Sequence, residues 1–382
     1  MIIILKIGLG FYSLVYSILK LFPTRDKIVF LSRQSDDPSL DFQMIEKKIN
    51  ELHPDYITVM LTKKIDGGIS RKIGYCFHML RQCWHLATSK AVILDSYSIM
   101  TSCLKHKKTL LVIQIWHSVG TMKQFGYSTL DKPEGSSSKV ARAMKMHRNY
   151  DYIFASSEAY KPHLSAGFDA DPSIIKTLAL PRVELLKSKE YGEKMRAEIS
   201  AKYPDLDNGR KNIVYCPTFR REENEKEEFK VKVNELIAAL DTGEYNLILK
   251  LHPLSDIDQG AFSTSPFVIY DTYFTTFDML FKADIVISDY SCVIYEAALL
   301  DAPLFFYAYD YDEYTSKCGL YIDYKKEMPG PICSDANELA KTIAAPYDMD
   351  RLKHFCDKYV SPENHDETES IVKFIFDHLK EK

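Results

Sequence analysis

Residues 281–303 carry the pattern that most restricts how this chain can fold. An apolar run rich in β-branched residues covers residues 283–288 and breaks at Asp289. From Cys292 onwards the apolar residues recur at helical spacing, so the stretch predicts a strand, a tight polar turn and a helix. The first N–H groups of such a helix suit a phosphate, with Ser291 as a cap or a further donor. An ordinary capped turn explains the same pattern.

The same alternation of strand and helix runs through the rest of the chain. Short apolar runs separated by helical spacing are typical of parallel α/β folds. The predicted strands form two series, residues 27–32, 56–61, 91–94, 110–115 and 152–155, and residues 212–216, 246–251, 267–270, 285–288 and 304–307. We therefore predict an α/β fold of the GT-B type, with two Rossmann-like domains facing a central cleft. Neither half has GxGxxG after a strand, so no dinucleotide cofactor is expected.

Length and composition fit two globular domains. Of the 382 residues, 46% are hydrophobic and 27% are charged, which excludes disordered and disulfide-scaffold classes. Eight cysteines without a CxxC motif, and histidines without HxxxH spacing, predict a reduced, cytoplasmic protein with no metal site. The predicted segments are an apolar helix at residues 1–25, domains at 26–187 and 188–345, and C-terminal helices at 346–382.

The N-terminal segment, residues 1–22, is apolar, and Lys6 and Lys20 are its only charges. The uncharged run between these lysines has 13 residues, which is short of the ~20 needed to span a bilayer. A helix lying in the membrane interface fits this pattern. A first helix buried in the N-terminal domain fits it equally well.

Positive charge is concentrated in one part of the chain. Residues 62–148 contain 15 Lys/Arg against 4 Asp/Glu, although the whole chain has a net charge of −4. Such a segment favours anionic partners, namely phospholipid head groups or a polyphosphate substrate. Nucleic acid is not expected, because no motif that reads RNA or DNA accompanies the charge.

Further polar clusters lie at strand ends or in the loops that follow them, at residues 116–123, 217–220, 250–253 and 307–331. Transfer from a nucleoside diphosphate requires cationic groups around the diphosphate and a base for the attacking hydroxyl. Arg220, Lys250 and His252 can supply the charge, and His117 can supply the base because imidazole titrates near neutral pH. The alternatives are a hydrogen-bonded structural role for His117 and surface ion pairs for Arg220.

Several ordered blocks resemble the CDP-glycerol glycerophosphotransferases of wall teichoic acid and capsule synthesis in Gram-positive bacteria. The blocks are QIWHSVGTMKQFG at 114–126, YDYIFASSE at 150–158, LALPRVELL at 178–186, IVYCPTFR at 213–220, KLHP at 250–253, and the stretch at 283–314. The resemblance implies transfer of a polyol phosphate from CDP-glycerol or CDP-ribitol, with release of CMP and without a cofactor. The implied acceptor is linked to undecaprenyl diphosphate, which would place a peripheral enzyme on the cytoplasmic face of an anionic membrane.

The resemblance also implies roles for individual residues. His117 resembles the catalytic base, and His252 resembles a donor ligand with a possible catalytic share. The other donor-binding residues implied for the C-terminal domain are Thr218, Arg220, Lys250, Asp289, Ser291, Cys292 and Glu296. Basic residues expected to face the acceptor or the membrane are Lys123, Lys139, Arg142 and Lys145.

Some positions depart from the pattern of the family. Ser118 follows the WH pair where Gly or Ala is usual, Cys292 replaces a serine, and Cys318 stands where an arginine is common. These departures bear on the identity of the polyol more than on the reaction. Two other functions remain open at this point, a GT-B glycosyltransferase with a nucleotide-sugar donor and a non-catalytic membrane scaffold of the same pathway.

Overall fold

Two six-stranded sheets organise the chain, as the alternating sequence pattern predicts. The structure is a computed structural model, and it describes residues 2–65, 68–133, 135–252, 254–360 and 366–382. It divides into an N-terminal unit, Met1–Glu184 with Pro362–Lys382, and a C-terminal unit, Leu185–Ser361. Each unit contains one sheet, and the strand pairs of both sheets are parallel.

Mostly buried residues form the strands of both sheets. The strands are β1 (Lys27–Ser32), β2 (Ile57–Thr62), β3 (Ala91–Leu94), β4 (Leu111–Gln114), β5 (Tyr152–Ala155), β6 (Ile175–Thr177), β7 (Lys211–Cys216), β8 (Tyr245–Leu249), β9 (Val268–Tyr270), β10 (Ile285–Ser288), β11 (Leu304–Tyr307) and β12 (Ile332–Cys333). The strand orders are β2-β1-β3-β4-β5-β6 and β12-β11-β10-β7-β8-β9. The direction of winding reverses between β1 and β3, and between β7 and β10. Open α/β sheets bind ligands beyond the carboxyl ends of the strands at such a reversal.

Helices cover both faces of each sheet. They are α1 (Ile2–Leu19), α2 (Leu40–Leu52), α3 (Ile69–Thr88), α4 (Ile99–Cys103), α5 (Ser138–Ala143), α6 (Lys161–Phe168), α7 (Arg182–Lys187), α8 (Lys189–Lys202), α9 (Glu223–Leu240), α10 (Thr276–Met279), α11 (Val293–Leu299), α12 (Tyr311–Lys317), α13 (Tyr324–Glu327), α14 (Ala336–Ala344), α15 (Met349–Tyr359) and α16 (Glu367–Leu379). Ile28 and Phe30 of β1 pack towards α2 and α16, whereas Val29 and Leu31 pack towards α1 and α3. The C-terminal helices therefore divide, with α15 in the C-terminal unit and α16 in the N-terminal unit.

The strand, turn and helix predicted around Asp289 are confirmed. β10 ends at Ser288, Cys292 is the N-cap residue of α11, and the helix continues to Leu299. β10 pairs with β7, so the turn after β10 lies beside the loop after β7. The reversal point of the C-terminal sheet thus carries the two polar segments that the sequence singled out.

Helix α1 has one buried face and one exposed face. Tyr16 is buried against the N-terminal sheet, and its hydroxyl lies 2.7 Å from Nδ1 of His106. On the other face Ile7 is 68% exposed and Leu14 is 65% exposed. The core interpretation therefore holds for the buried face, whereas the membrane-interface interpretation stays a prediction for the exposed face. Among the described residues, no helix combines the length and the apolar character needed to cross a bilayer.

Candidate active site

The loop after β4 carries His117 at the carboxyl edge of the N-terminal sheet. The preceding residue, Trp116, has a φ of 66°, a left-handed conformation that bulky residues rarely adopt. Its ring centroid lies 4.4 Å from that of Phe125 and 5.3 Å from that of Phe168. Its backbone N–H donates to the side-chain oxygen of Gln114 over 2.9 Å. Packing therefore holds a strained turn directly before His117, and strain of this kind concentrates at functional sites.

Hydrogen bonding determines which ring nitrogen of His117 is basic. Nδ1 lies 3.0 Å from the backbone carbonyl oxygen of Asp95. A carbonyl oxygen only accepts, so Nδ1 carries the hydrogen and Nε2 has the lone pair. Burial lowers the pKa of His117 to about 4, and Arg182 adds to this shift, against opposing contributions from Asp95 and Asp41. The imidazole is therefore neutral at pH 7 and can accept a proton at Nε2.

Two acidic residues near His117 were missed by the sequence analysis. Asp41 is buried, and its carboxylate accepts from Nε of Arg182 over 2.9 Å and from the backbone N–H of the same residue over 3.0 Å. Asp95 is also buried, and burial raises the pKa of its carboxyl to about 6, although neighbouring serine hydroxyls oppose the shift. His117 and these acidic residues come from separate parts of the chain, so no local sequence spacing could have indicated that they lie together. For Arg182, the partner of Asp41, the sequence offered one indication, namely its place in the LPR block at 180–182, which resembles the family.

The buried carboxylate of Asp289 joins the loops after β7 and β10. It accepts hydrogen bonds from the backbone N–H of Thr218 over 2.8 Å, from the Thr218 hydroxyl over 2.7 Å and from Arg220 over 3.0 Å. The backbone N–H of Tyr290 donates to the same carboxylate over 2.6 Å. Both oxygens are thus occupied by protein groups, and Asp289 is only 1% exposed. These contacts place Asp289 and Thr218 in a buried network that joins two loops, and their contact with the donor phosphates stays a prediction.

Arg220 is buried between two carboxylates. Nε donates to Asp310 over 2.8 Å, one terminal nitrogen lies 3.0 Å from Asp289, and the other donates to the carbonyl oxygen of Thr218 over 2.8 Å. The ring of Tyr314 lies 5.3 Å from the guanidinium carbon. Burial alone would lower the pKa of Arg220, but Asp289 and its other acidic neighbours raise it. Arg220 thus neutralises the two buried carboxylates, and its direct contact with the diphosphate stays a prediction.

Lys250 connects the ends of β8 and β9. Its ammonium group lies 2.7 Å from a carboxylate oxygen of Asp271, and it also donates to the backbone carbonyl oxygens of Asp271 and Phe274. Burial would raise the pKa of Asp271, but the hydrogen bonds from Lys250 and Tyr203 outweigh it and lower that pKa. The three N–H groups of the ammonium thus have protein acceptors. Lys250 thus holds the loop after β9, and its direct contact with the donor stays a prediction.

His252 has the opposite tautomer from His117. Its side chain is exposed, and Nδ1 accepts a hydrogen bond from the backbone N–H of Leu254 over 3.1 Å. Because Nδ1 is an acceptor there, the hydrogen of the neutral ring lies on Nε2. His252 can therefore offer an N–H donor at Nε2, where His117 offers a lone pair. Pro253, the last residue of the KLHP block, lies outside the described residues.

The remaining predicted donor residues lie at the start of α11. Ser291 and Cys292 are half-buried, and the Ser291 hydroxyl oxygen accepts from the backbone N–H of Val293 over 3.4 Å. Glu296 is buried in the first turn of this helix. The turn thus places a hydroxyl group and the start of a helix at the reversal point of the C-terminal sheet.

A cavity of about 520 Å³ opens between the loops after β8 and β9. Its lining includes His252, Asp271, Thr272, Tyr273 and Phe274, so aromatic and polar side chains are combined. Small-molecule sites in proteins commonly have volumes of about 300–1,000 Å³. In the part of the chain that the structure describes, no group of three or more His, Cys, Asp or Glu side chains is arranged to hold a metal ion.

The predicted basic surface lies on the N-terminal unit. Lys139 and Arg142 are exposed residues of α5, which contacts α1, and Lys145 is exposed just after that helix. Lys123 is half-buried in the loop after β4. Three of the four predicted basic residues therefore occur on or directly after one helix beside α1.

Comparison of the sequence with models of known protein families identifies the family of this chain. The family model described as CDP-Glycerol:Poly(glycerophosphate) glycerophosphotransferase matches residues 14–377. This chain belongs to that family. The glycerophosphotransferase is 30% identical to the teichoic acid ribitol-phosphate primase of Bacillus spizizenii, over 98% of this chain and 97% of the relative. It is 28% identical to the teichoic acid glycerol-phosphate primase of Bacillus subtilis, over 78% of this chain and 76% of the relative.

Solved structures establish the fold of this glycerophosphotransferase. The solved structure of the H444N variant of the wall teichoic acid polymerase TagF superposes with a TM-score of 0.76 at 20% identity, covering 99% of this chain and 94% of the solved chain. The predicted GT-B fold, with two Rossmann-like domains, is therefore confirmed. Membership of the family makes the chain an enzyme of teichoic acid biosynthesis that transfers polyol phosphate.

Proposed function

We propose that this enzyme transfers glycerol phosphate or ribitol phosphate from the matching CDP-polyol to a lipid-linked acceptor and releases CMP. An acceptor oxygen attacks the β-phosphorus in line and forms a new P–O bond. The bond between the β-phosphorus and the bridging oxygen breaks, and that oxygen leaves with CMP. Phosphoryl transfer of this kind depends on positioning and on stabilisation of charge rather than on covalent chemistry by the protein. One relative is named a ribitol-phosphate primase and another a glycerol-phosphate primase, so both CDP-polyols need to be tested as donors.

His117 is the proposed base for the acceptor hydroxyl. The observation that carries this assignment is the hydrogen bond from Nδ1–H to the carbonyl oxygen of Asp95. It fixes the ring orientation and leaves Nε2 to take the proton as the new bond forms. The lowered pKa of His117 keeps the ring neutral at physiological pH, so the base is available without prior deprotonation. Removal of the proton from the attacking hydroxyl is then a single transfer to Nε2.

The C-terminal unit is the proposed donor site. A diphosphate carries negative charge that N–H donors can stabilise, and Nε2–H of His252, the hydroxyl of Ser291 and the N–H groups near Cys292 are suited to this task. The cavity between the loops after β8 and β9 has the size and the aromatic lining expected for a nucleoside. In this proposal Arg220 and Lys250 act indirectly, by holding the loops that present these groups. Glu296 remains a predicted donor-binding residue.

The nucleotide that is released distinguishes this proposal from the alternatives. With a lipid-linked acceptor, we expect the purified full-length enzyme to release CMP from CDP-glycerol or CDP-ribitol, measured by chromatography of the nucleotides. UDP-N-acetylglucosamine serves as the matched nucleotide-sugar control and should give no UDP. Release of UDP would favour a glycosyltransferase, and no release from any donor would favour a scaffold.

We also propose that α1 attaches the enzyme to the membrane surface. Its exposed residues Ile3, Ile7, Phe11, Leu14 and Ile18 are spaced by three or four positions and form one apolar stripe. Such spacing places side chains on one face of a helix, and an apolar face flanked by basic residues suits an anionic membrane interface. The basic residues of the adjacent α5 supply complementary charge for anionic head groups.

Point substitutions test attachment better than deletion of the helix, because loss of the buried Tyr16 would also disturb the core. We expect the double substitution Ile7→Glu and Leu14→Glu to lower binding to phosphatidylglycerol vesicles at least tenfold in sedimentation, since each buried aliphatic side chain contributes about 1.5–3 kcal/mol. Val231→Glu, at an exposed apolar residue of α9, is the control and should bind normally. Unchanged sedimentation of the double variant would remove the attachment proposal.

A further inference from the structure

Phe219 and His252 occupy matching positions at the carboxyl edge of the C-terminal sheet. β7 and β8 are parallel neighbours, with Tyr215 of β7 opposite Leu249 of β8. Phe219 is the third residue after β7, and His252 is the third residue after β8. Loops that leave neighbouring parallel strands at the same edge run side by side. The two side chains lie together, and their ring centroids are 5.7 Å apart at an interplanar angle of 33°.

The backbone of Phe219 is fixed on both sides. Before it, the N–H and the hydroxyl of Thr218 donate to the buried carboxylate of Asp289 over 2.8 Å and 2.7 Å. After it, Arg220 donates to Asp310 over 2.8 Å and to the carbonyl oxygen of Thr218 over 2.8 Å. Both neighbours of Phe219 are buried, whereas its own side chain is half-buried. The buried network therefore holds the Phe219 ring at one position on the surface of the loop.

The imidazole of His252 is restrained from two directions. Within its own turn, Nδ1 accepts from the backbone N–H of Leu254 over 3.1 Å, and the carbonyl oxygen of His252 accepts from the N–H of Ser255 over 2.8 Å. From the neighbouring loop, the Phe219 ring packs against it at a separation typical of aromatic pairs, about 4.5–7 Å. The hydrogen bond at Nδ1 determines the tautomer, and the packing limits rotation of the ring. Both restraints determine where Nε2–H points.

The depression that the two rings share is too small for a donor molecule. Leu251 and Ile257 also line it, and its volume is about 10 Å³. One water molecule already requires ~10–15 Å³. Within this depression Phe219 therefore contacts His252 and not a ligand. The packing supports an influence of Phe219 on the donor that passes through the imidazole.

We propose that Phe219 is a positioning residue for His252, which it holds in the orientation that directs Nε2–H to the donor diphosphate. This inference rests on the proposed function, since it takes His252 as a hydrogen-bond donor to that diphosphate. A restrained side chain loses less rotational freedom when a ligand binds, so affinity is gained without contact between Phe219 and the ligand. The buried network around Asp289 then serves donor binding indirectly, because it anchors the backbone on either side of Phe219.

A double-mutant cycle on donor binding tests this inference, because a residue that acts only through His252 has no effect once that imidazole is absent. The full chain is titrated calorimetrically with CDP-glycerol and with CDP-ribitol, without acceptor. Phe219→Ala should lower the affinity about 3- to 10-fold, which corresponds to the freedom regained by one side chain. His252→Ala should lower it about 10- to 100-fold, since it removes a hydrogen bond to a charged group. The double variant should bind like His252→Ala.

Two further variants separate positioning from a general loss of structure. Phe219→Tyr keeps the ring and should bind the donor like the wild type. Tyr347→Ala removes another half-buried ring of the same unit, which packs against Phe305 at a centroid distance of 5.3 Å. It should lower the melting temperature at least as much as Phe219→Ala does, yet leave the affinity for the donor unchanged.

Four results of the titrations would overturn the inference. They are equal affinities of wild type and Phe219→Ala, a further loss when Phe219→Ala is added to His252→Ala, a Phe219→Tyr variant as weak as Phe219→Ala, and no binding of either CDP-polyol by the wild type. The proposed function is judged separately, since release of CMP by the wild-type enzyme would stand whatever the titrations show.

Discussion

Replacing His117 with alanine is expected to lower kcat at least a hundredfold, because a positioned base contributes about 10²–10⁴ to the rate. The affinity for the CDP-polyol should change little, since His117 lies in the N-terminal unit and the proposed donor site in the C-terminal one. The steady-state rate of CMP release, measured over a range of CDP-polyol concentrations, gives both kcat and the apparent affinity for the donor. His354→Ala, at an exposed histidine of α15, is the matched control and should retain full activity.

The pH dependence of the wild-type enzyme provides an independent check on His117. Its pKa of about 4 lies below the ordinary value of about 6.5, so the neutral base persists well into acidic solution. We therefore expect kcat/KM for the acceptor to stay level from pH 8 to about pH 5 and to fall only as the pH approaches 4. A half-maximal rate near pH 6.5 that disappears in His117→Ala would contradict the buried, neutral imidazole described here.

The same lowered pKa links protonation of His117 to stability. The unfolded chain binds a proton at this residue below about pH 6.5, whereas the folded chain resists doing so until about pH 4. The contribution of the neutral ring to stability is therefore complete above pH 6.5 and is lost as the pH falls towards 4. Activity assays in acid need a parallel measurement of unfolding for this reason.

Arg220→Met is expected to destabilise the C-terminal unit by about 3–5 kcal/mol, because removal of one partner leaves buried charge uncompensated. The substitution preserves much of the side-chain volume but leaves the carboxylates of Asp289 and Asp310 without their cation. Scanning calorimetry of the full chain should show the corresponding transition lowered by about 10 °C. CMP release should also fall, since the loops after β7 and β10 lose the contact that joins them.

Two further variants make the Arg220 experiment decisive. Arg210→Met changes an exposed arginine of the same unit and should melt like the wild type. Adding Asp310→Asn to Arg220→Met removes one of the two unpaired charges and should recover part of the lost stability. If Arg220→Met melts normally yet binds CDP-glycerol poorly, Arg220 contacts the donor directly, and the positioning role assigned here is wrong.

Much of the fold was accessible from the sequence because the parallel strands are buried. β1, β3, β5, β10 and β11 begin and end at the predicted residues, since each is a largely apolar run, bounded by polar residues in the first four and preceded by Pro303 in β11. β12 was missed because it has only two residues, and β6 was missed because two of its three residues are polar, whereas the equally short β9 is wholly apolar and was predicted.

The places of the candidate site residues in the fold were predictable from the sequence, but their contacts were not. His117, Thr218, Asp289 and Ser291 lie after strands at the carboxyl edges of the sheets, as predicted. The partners that determine what each side chain does are distant in sequence. Asp310 lies 90 residues from Arg220, and Asp271 lies 21 residues from Lys250. Only the folded chain reveals that these two cations are occupied by carboxylates.

The central claim, transfer of an intact polyol phosphate, is tested most directly by mass spectrometry of the acceptor after incubation with each CDP-polyol. Attack at the β-phosphorus predicts an acceptor heavier by one polyol phosphate in the wild-type reaction, and no such product from His117→Ala in the same time. An acceptor that gains a sugar, gains a polyol without its phosphate, or remains unchanged with both donors would contradict the mechanism.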